Sequence, residues 1–209
     1  FKKAATKNDS FSQVELAEIL YEKKFEKQGL DLYIEAAKNG NIRAQEWLGE
    51  KYYNENNFEE AIPLLESAAN NGSSFAQAVL GELFEKKDEY IDSIYWYEQA
   101  AQNGSSSAQY RLGVMYEKAK GVEQNYEKAI YWYEKAAEQE HSNAQFCLGW
   151  MYQSGKNIPQ DYEKAIYWYE KAIQNGNSGA LNNLGFMYLK GNGVGKNCEK
   201  AIDMIERAV

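Results

Sequence analysis

Two cysteines, two prolines and a single histidine in 209 residues are scarcities that each remove a class of protein. Cys147 and Cys198 cannot supply the bridged framework of a small secreted fold, so two free thiols are expected. Free thiols lean toward a reducing cytosol, with the bacterial periplasm or secretion as the alternative. His141 has Ser142 and Asn143 as neighbours, which supply neither a metal-ligand set nor a catalytic partner, and a surface role is expected for it. No apolar run approaches the roughly 20 residues of a membrane-spanning helix. Phe1-Lys2-Lys3-Ala4-Ala5 has no apolar signal core. Basic residues are outnumbered 31 to 23, and the resulting net charge of −8 lacks the dense positive surface that nucleic acids or anionic membranes require.

The charge is unevenly placed. Residues 1–104 carry 19 Asp and Glu against 11 Lys and Arg, whereas residues 105–209 carry 12 of each, so the whole imbalance lies in the first half.

What the chain does have is repetition. Ala44-Gln45-Glu46-Trp47-Leu48-Gly49 returns at Ala76, Ala108 and Ala144 and, as a variant, at Ala180, with steps of 32, 32, 36 and 36 residues. A second motif follows each first one: Glu60-Ala61, Asp92-Ser93, Lys128-Ala129, Lys164-Ala165 and Lys200-Ala201. Three of these run into a Tyr-Trp-Tyr triplet (Tyr95-Trp96-Tyr97, Tyr131-Trp132-Tyr133, Tyr167-Trp168-Tyr169). A fixed period decides architecture. It divides the chain into repeats 9–40, 41–72, 73–104, 105–140, 141–176 and 177–209, with residues 1–8 reading as the end of a preceding helix. Both ends look cut, as in an excerpt of a longer array.

Within a repeat the apolar spacing is helical. Ala108, Leu112, Met115 and Tyr116 form one stripe, and Ala129, Trp132, Tyr133 and Ala136 form a second. Gly113 lets the two helices approach closely. Asn125 and Asp161 are placed to cap second helices, and Gly40, Gly72, Gly104 and Gly176 to end them in the left-handed conformation. Pro63, inside the second helix of the second repeat, is expected to remove a hydrogen bond and bend it. One hairpin cannot bury both faces, so the pairs must stack. The period of the triplets makes them core residues.

The motifs Ala-x-x-x-Leu-Gly-x-Met-Tyr and Asp-Tyr-Glu-Lys-Ala-x-x-Trp-Tyr-x-Lys-Ala-Ala, joined by a Gly-Val loop and closed by Gly, resemble the Sel-one-like repeat, a relative of the tetratricopeptide repeat. The resemblance covers essentially the whole chain and is closest over Ala108–Gln139 and Ala144–Gly176. The first three repeats depart from it, with inter-helix loops four residues shorter. It implies an all-α, right-handed α-solenoid of stacked antiparallel helix pairs that serves as a scaffold or adaptor. An inhibitor or immunity-type protein is the alternative, and no enzyme activity, cofactor or metal is expected. Gly191-Asn192-Gly193-Val194-Gly195-Lys196 fails as a phosphate loop, since Lys190 stands where its first Gly belongs, Asn197 replaces Ser or Thr, and no strand precedes it. It reads as an inter-helix loop. Asn8-Asp9-Ser10, Asn71-Gly72-Ser73 and Asn103-Gly104-Ser105 match glycosylation sequons but read as helix stops followed by caps.

The resemblance also implies that first helices line a concave side. Repeat positions 6, 10 and 13, with 7 and 14 on the flank, then build a groove. It opens with Glu15, Glu18 and Glu22, followed by Glu46, Trp47, Glu50 and Tyr53, and then Glu82 and Glu85. It continues with Tyr110, Arg111 and Val114, then Phe146, Cys147 and Trp150, and ends with Asn182, Asn183, Phe186 and Leu189. The expected partner is a polypeptide with a basic portion for the acidic start and an apolar portion for the aromatic end.

Overall fold

Helix boundaries follow from cap chemistry repeated along the chain. A computed structural model describes residues 9 to 208, so the helix end expected over residues 1–8 lies outside the described residues. Among the described residues there are twelve helices and no strand: α1 (Ser10–Glu22), α2 (Glu26–Lys38), α3 (Ile42–Asn54), α4 (Phe58–Asn70), α5 (Ser74–Lys86), α6 (Tyr90–Gln102), α7 (Ser106–Lys118), α8 (Tyr126–Glu138), α9 (Ser142–Ser154), α10 (Tyr162–Gln174), α11 (Ser178–Lys190) and α12 (Cys198–Glu206). They pack as consecutive pairs within two compact units, which among the described residues are 9–103 with α1–α6 and 104–208 with α7–α12.

The side chains of Asp9, Asn41, Ser73, Ser105, His141 and Asn177 cap the first helices of the six pairs. Each satisfies one of the amide N–H groups that a helix start leaves without a partner. Ser73 and Ser105, the third residues of two apparent sequons, spend their hydroxyls in this way. The two units differ in how a pair is joined. Loops in the first unit are three residues long, turn through Lys24, Asn56 and Asp88 at positive φ, and leave no room for a side-chain cap on the second helix. Loops in the second unit run to seven residues, which lets Asn125, Asp161 and Asn197 cap α8, α10 and α12. The Gly191–Lys196 segment is one of these loops. Gly40, Gly72, Gly104 and Gly176 all have φ between 80° and 90°. Helix α4 continues through Pro63, which is exposed, to Asn70.

The core of the third, fourth and fifth pairs is one ring set on a glycine. Tyr97, Tyr133 and Tyr169 are at most 1% exposed. A Cβ added to Gly81, Gly113 or Gly149 would lie 2.4–2.6 Å from the facing tyrosine ring. Each phenol donates to the end of its partner helix: Tyr97 to Glu85 at 3.1 Å, Tyr133 to Glu117 at 2.6 Å and Tyr169 to Gln153 at 2.6 Å. The triplets are therefore divided, because their first members, Tyr95, Tyr131 and Tyr167, stand more than half exposed. A helix shows successive residues on different sides, so Tyr-Trp-Tyr cannot all face one core.

Buried glutamines tie one pair to the next. Gln45 and Gln77 donate to the carbonyls of Ala37 and Ala69 in the first unit, and Gln145 donates to that of Ala137 in the second. Their carboxamide oxygens accept from the residue that ends the following helix, as in Asn103 to Gln77 (2.9 Å) and Asn175 to Gln145 (3.0 Å). The second pair breaks the ladder. There Asn71 donates to Ser67 O of its own helix, and Gln45 Oε1 is buried with no partner among the described residues.

Candidate functional site

The first helix of each pair has a face opposite its buried stripe. Repeat position 10, which follows the seat glycine in every repeat but the first, lies on it: Glu18, Glu50 and Glu82 in the first unit, and the half-buried Val114 with the exposed Trp150 and Phe186 in the second. The two units thus present different chemistry at an equivalent position.

In the first unit Arg43 of α3 reaches α1, its guanidinium 3.1 Å from Glu15 Oε1 and 2.6 Å from Glu18 Oε1. Glu22 is exposed at the end of α1. Trp47 lies flat on Tyr33, with centroids 4.0 Å apart and planes 4° apart, and meets Tyr21 edge-on at 4.9 Å. Burial, followed by the field of Glu18, pushes the Tyr33 phenol up to about 12. Glu46 accepts a hydrogen bond from the Ser73 hydroxyl, and Glu50 is exposed. Two cavities flank Trp47 and Glu50. One, of about 270 Å³, is lined by Glu18, Arg43, Glu46 and Phe75 besides these two. The other, of about 360 Å³, is lined by Tyr21, Lys51, Asn54 and Glu55 besides them. Tyr53 is only 8% exposed. Its hydroxyl donates to Glu82 at 3.3 Å, and Lys86 Nζ lies 4.0 Å above its ring.

In the second unit Trp150 and Phe186 are each 43% exposed, and Leu189 is 38% exposed, on the neighbouring helices α9 and α11. Asn182 is exposed as well. The other expected residues pack inward. Val114 and Tyr110 lie against the cluster around Tyr133, Phe146 tilts onto Tyr169 at 6.0 Å, and Asn183 donates to the Tyr169 hydroxyl at 3.1 Å. Arg111 is half-buried. Cys147 is half-buried beside Tyr133, and burial followed by Glu117 pushes its thiol up to about 12, so it stays protonated and inert. Cys198 is exposed, and both cysteines are free.

Among the lining residues that escaped the sequence reading are Arg43 and Phe75, both at repeat position 3. The available signal was their i, i+4, i+7 relation to positions 7 and 10. Position 13 plays another part. Glu85, Glu117 and Gln153 hold the hydroxyl of a buried tyrosine. Where that tyrosine is replaced by Leu65 or Ile205, position 13 is Tyr53 or Leu189.

His141 is half-buried, stacks on Tyr110 at 4.8 Å, and caps α9 through Nδ1, which accepts from Ala144 N at 3.3 Å. An imidazolium has no acceptor there and would face the positive helix terminus. Burial, with Arg111 as a lesser cause, holds its pKa below 6.5. A depressed pKa means that the unfolded chain takes up the proton first, so this contribution is complete above pH 6.5 and is lost as pH falls through the folded-state value. Urea unfolding at pH 7.5 and 5.0 is expected to show a loss of about 1 kcal/mol in excess of that in His141→Asn. Equal losses would remove the histidine as the cause.

No group of three or more His, Cys, Asp or Glu suited to a metal ion exists among the described residues, nor does any helix long and apolar enough to cross a membrane.

Comparison with known proteins places this geometry. The Sel1 repeat model matches residues 25–41, 42–73, 74–105, 106–141, 142–177 and 178–209. A protective antigen of uropathogenic Escherichia coli displaying an SLR fold is similar over 99% of this chain and 47% of its own, at 27% identity and a TM-score of 0.90, so the chain spans about half of that protein's length. A Sel1 repeat protein from Oxalobacter formigenes is similar over 96% of this chain and 87% of its own, at 29% identity and a TM-score of 0.81. An immunity protein from Pseudomonas aeruginosa shares the fold over 83% of this chain and 71% of its own, at 24% identity and a TM-score of 0.52. No curated protein matches the sequence.

Proposed function

We propose that this chain, which belongs to the Sel1 repeat family, binds a polypeptide partner on the exposed face of its first helices and acts as a scaffold or adaptor. Sel1 repeats generally serve protein interaction. The observation that carries the reading is the exposure of Trp150, Phe186 and Leu189 on α9 and α11. Each sits where the first unit carries an acidic or polar residue or a packed tyrosine, and none is needed to fill the core. Exposed aromatic side chains grouped on one face are the usual anchors of a protein interface, each able to bury a large apolar area. The likeness to an immunity protein is one of fold and does not favour the inhibitor reading.

The test is affinity capture with the immobilised chain, partners being identified by mass spectrometry. Trp150→Ala combined with Phe186→Ala is expected to weaken capture by about 1000-fold, since two anchors of about 2 kcal/mol each are removed. Tyr131→Ala with Tyr167→Ala removes equally exposed aromatics from second helices and should leave capture intact. Unchanged binding by the first double variant, or equal loss in the second, would overturn the assignment.

A further inference from the structure

The first unit holds the chain's excess negative charge: residues 9–103 contain 19 Asp and Glu against eight Lys and Arg. Around Trp47 that charge has a shape. The cavity of about 270 Å³ has the Trp47–Tyr33 stack and the 43% exposed Phe75 as apolar walls, with Glu18, Glu46 and Glu50 in its lining. Arg43 enters it from α3 and is held by both Glu15 and Glu18, so this wall already accommodates one guanidinium. Glu46 and Glu50 have no ion-pair partner among the described residues. Glu50 and Trp47 also belong to the second cavity, where Lys51 is neutralised by Glu55. A cation over an aromatic ring has a precedent in this unit, in Lys86 above Tyr53.

We infer that this face of the first unit receives a basic segment of the partner polypeptide, with an arginine of that segment in the smaller cavity. Its guanidinium lies against Glu46 and Glu50, and its methylenes run along Trp47 and Phe75. Arginine fits better than lysine because a planar, weakly hydrated fork can pair with carboxylates while resting on an aromatic surface. This inference rests on the reading of the chain as a polypeptide-binding protein and assigns its acidic unit a ligand.

The experiment uses the full ¹⁵N-labelled chain and blocked tetrapeptides, acetyl-Phe-Arg-Arg-Gly-amide and its citrulline and lysine counterparts. The readout is the indole N–H resonances of the tryptophans, with that of Trp47 assigned through Trp47→Phe. The arginine peptide is expected to shift the Trp47 signal saturably, with affinity at least tenfold above the citrulline peptide and threefold above the lysine peptide. Glu46→Gln with Glu50→Gln should weaken it tenfold. Glu59→Gln with Glu60→Gln removes the same charge from α4 outside both cavities and should change it less than twofold. An unmoved Trp47 signal, equal binding of the citrulline or lysine peptide, or equal loss in both double variants overturns the inference. The Trp150→Ala, Phe186→Ala variant should bind the peptide like the wild type. Loss of partner capture in that variant, with no peptide binding by the wild type, would sink the arginine site and leave the scaffold reading standing. Peptide binding with partner capture unaffected in that variant would do the reverse.

Discussion

Replacing Tyr169 by Ala is expected to cost about 3–5 kcal/mol, whereas the same change at Tyr167, two residues away, should cost less than about 1 kcal/mol. The difference is burial. Tyr169 is 0% exposed with its ring over Gly149, while Tyr167 is 52% exposed and touches Trp168 edge-on. Removing the Tyr169 ring leaves a cavity between α9 and α10 that neither helix can close without shifting its neighbours. It also strips Gln153 and Asn183 of the hydroxyl that joins them. Urea unfolding followed by far-ultraviolet circular dichroism reads both variants, and a midpoint shift without a change in slope reports stability. Values within 1 kcal/mol of each other would refute the assignment of the two faces.

Gly81→Ala is the second large effect, and its sign is the informative part. In an exposed helix this change would stabilise by about 1 kcal/mol, because alanine is the better helix former. At this site the new Cβ would stand 2.4 Å from Tyr97 Cδ1 and 2.6 Å from Cε1. The ring cannot step aside easily. It is 1% exposed, its hydroxyl is held by Glu85, and the two helices are pinned by Ser93 Oγ donating to Gly81 O at 2.8 Å. Overpacking of this kind costs up to about 3 kcal/mol, so a net loss of about 2 kcal/mol is expected. The same urea titration checks it, and a variant as stable as the wild type would show that α5 and α6 can separate freely.

The repeats, the pairing of helices, and the helix starts and stops marked by Asn125, Asp161, Gly40, Gly72, Gly104 and Gly176 were legible in the chain itself. They rest on local rules that recur at a fixed period: Asn, Ser or Asp before a helix, Gly after it, Ala where helices cross. The differing loop lengths of the first three and last three repeats were legible for the same reason, and the structure shows their consequence in the missing side-chain caps on α2, α4 and α6.

The candidate face was only partly legible. Trp150, Phe186 and Glu50 are solvent-facing on their helices, in keeping with the repeat position, whereas Tyr53, Val114, Tyr110 and Phe146 pack inward to differing degrees. Repeat position specifies the direction of a Cβ, but how far a side chain is covered depends on what the next helix pair places against it. Glu85 shows the same limit. A carboxylate read as groove surface is in fact the acceptor for Tyr97, a bond between residues on different helices.

The sequence by itself determined a chain of helical hairpins with an acidic first half, because propensity, capping and net charge are properties of neighbours along the backbone. Only the tertiary structure decided which tyrosine of each triplet is core, that Arg43 occupies Glu15 and Glu18, and that Phe75 and Trp47 wall a carboxylate-lined cavity. The first is set by the packing of two helices within a pair, and the other two by contacts between residues about 28 positions apart, which the packing of one pair on the next sets and no local rule contains.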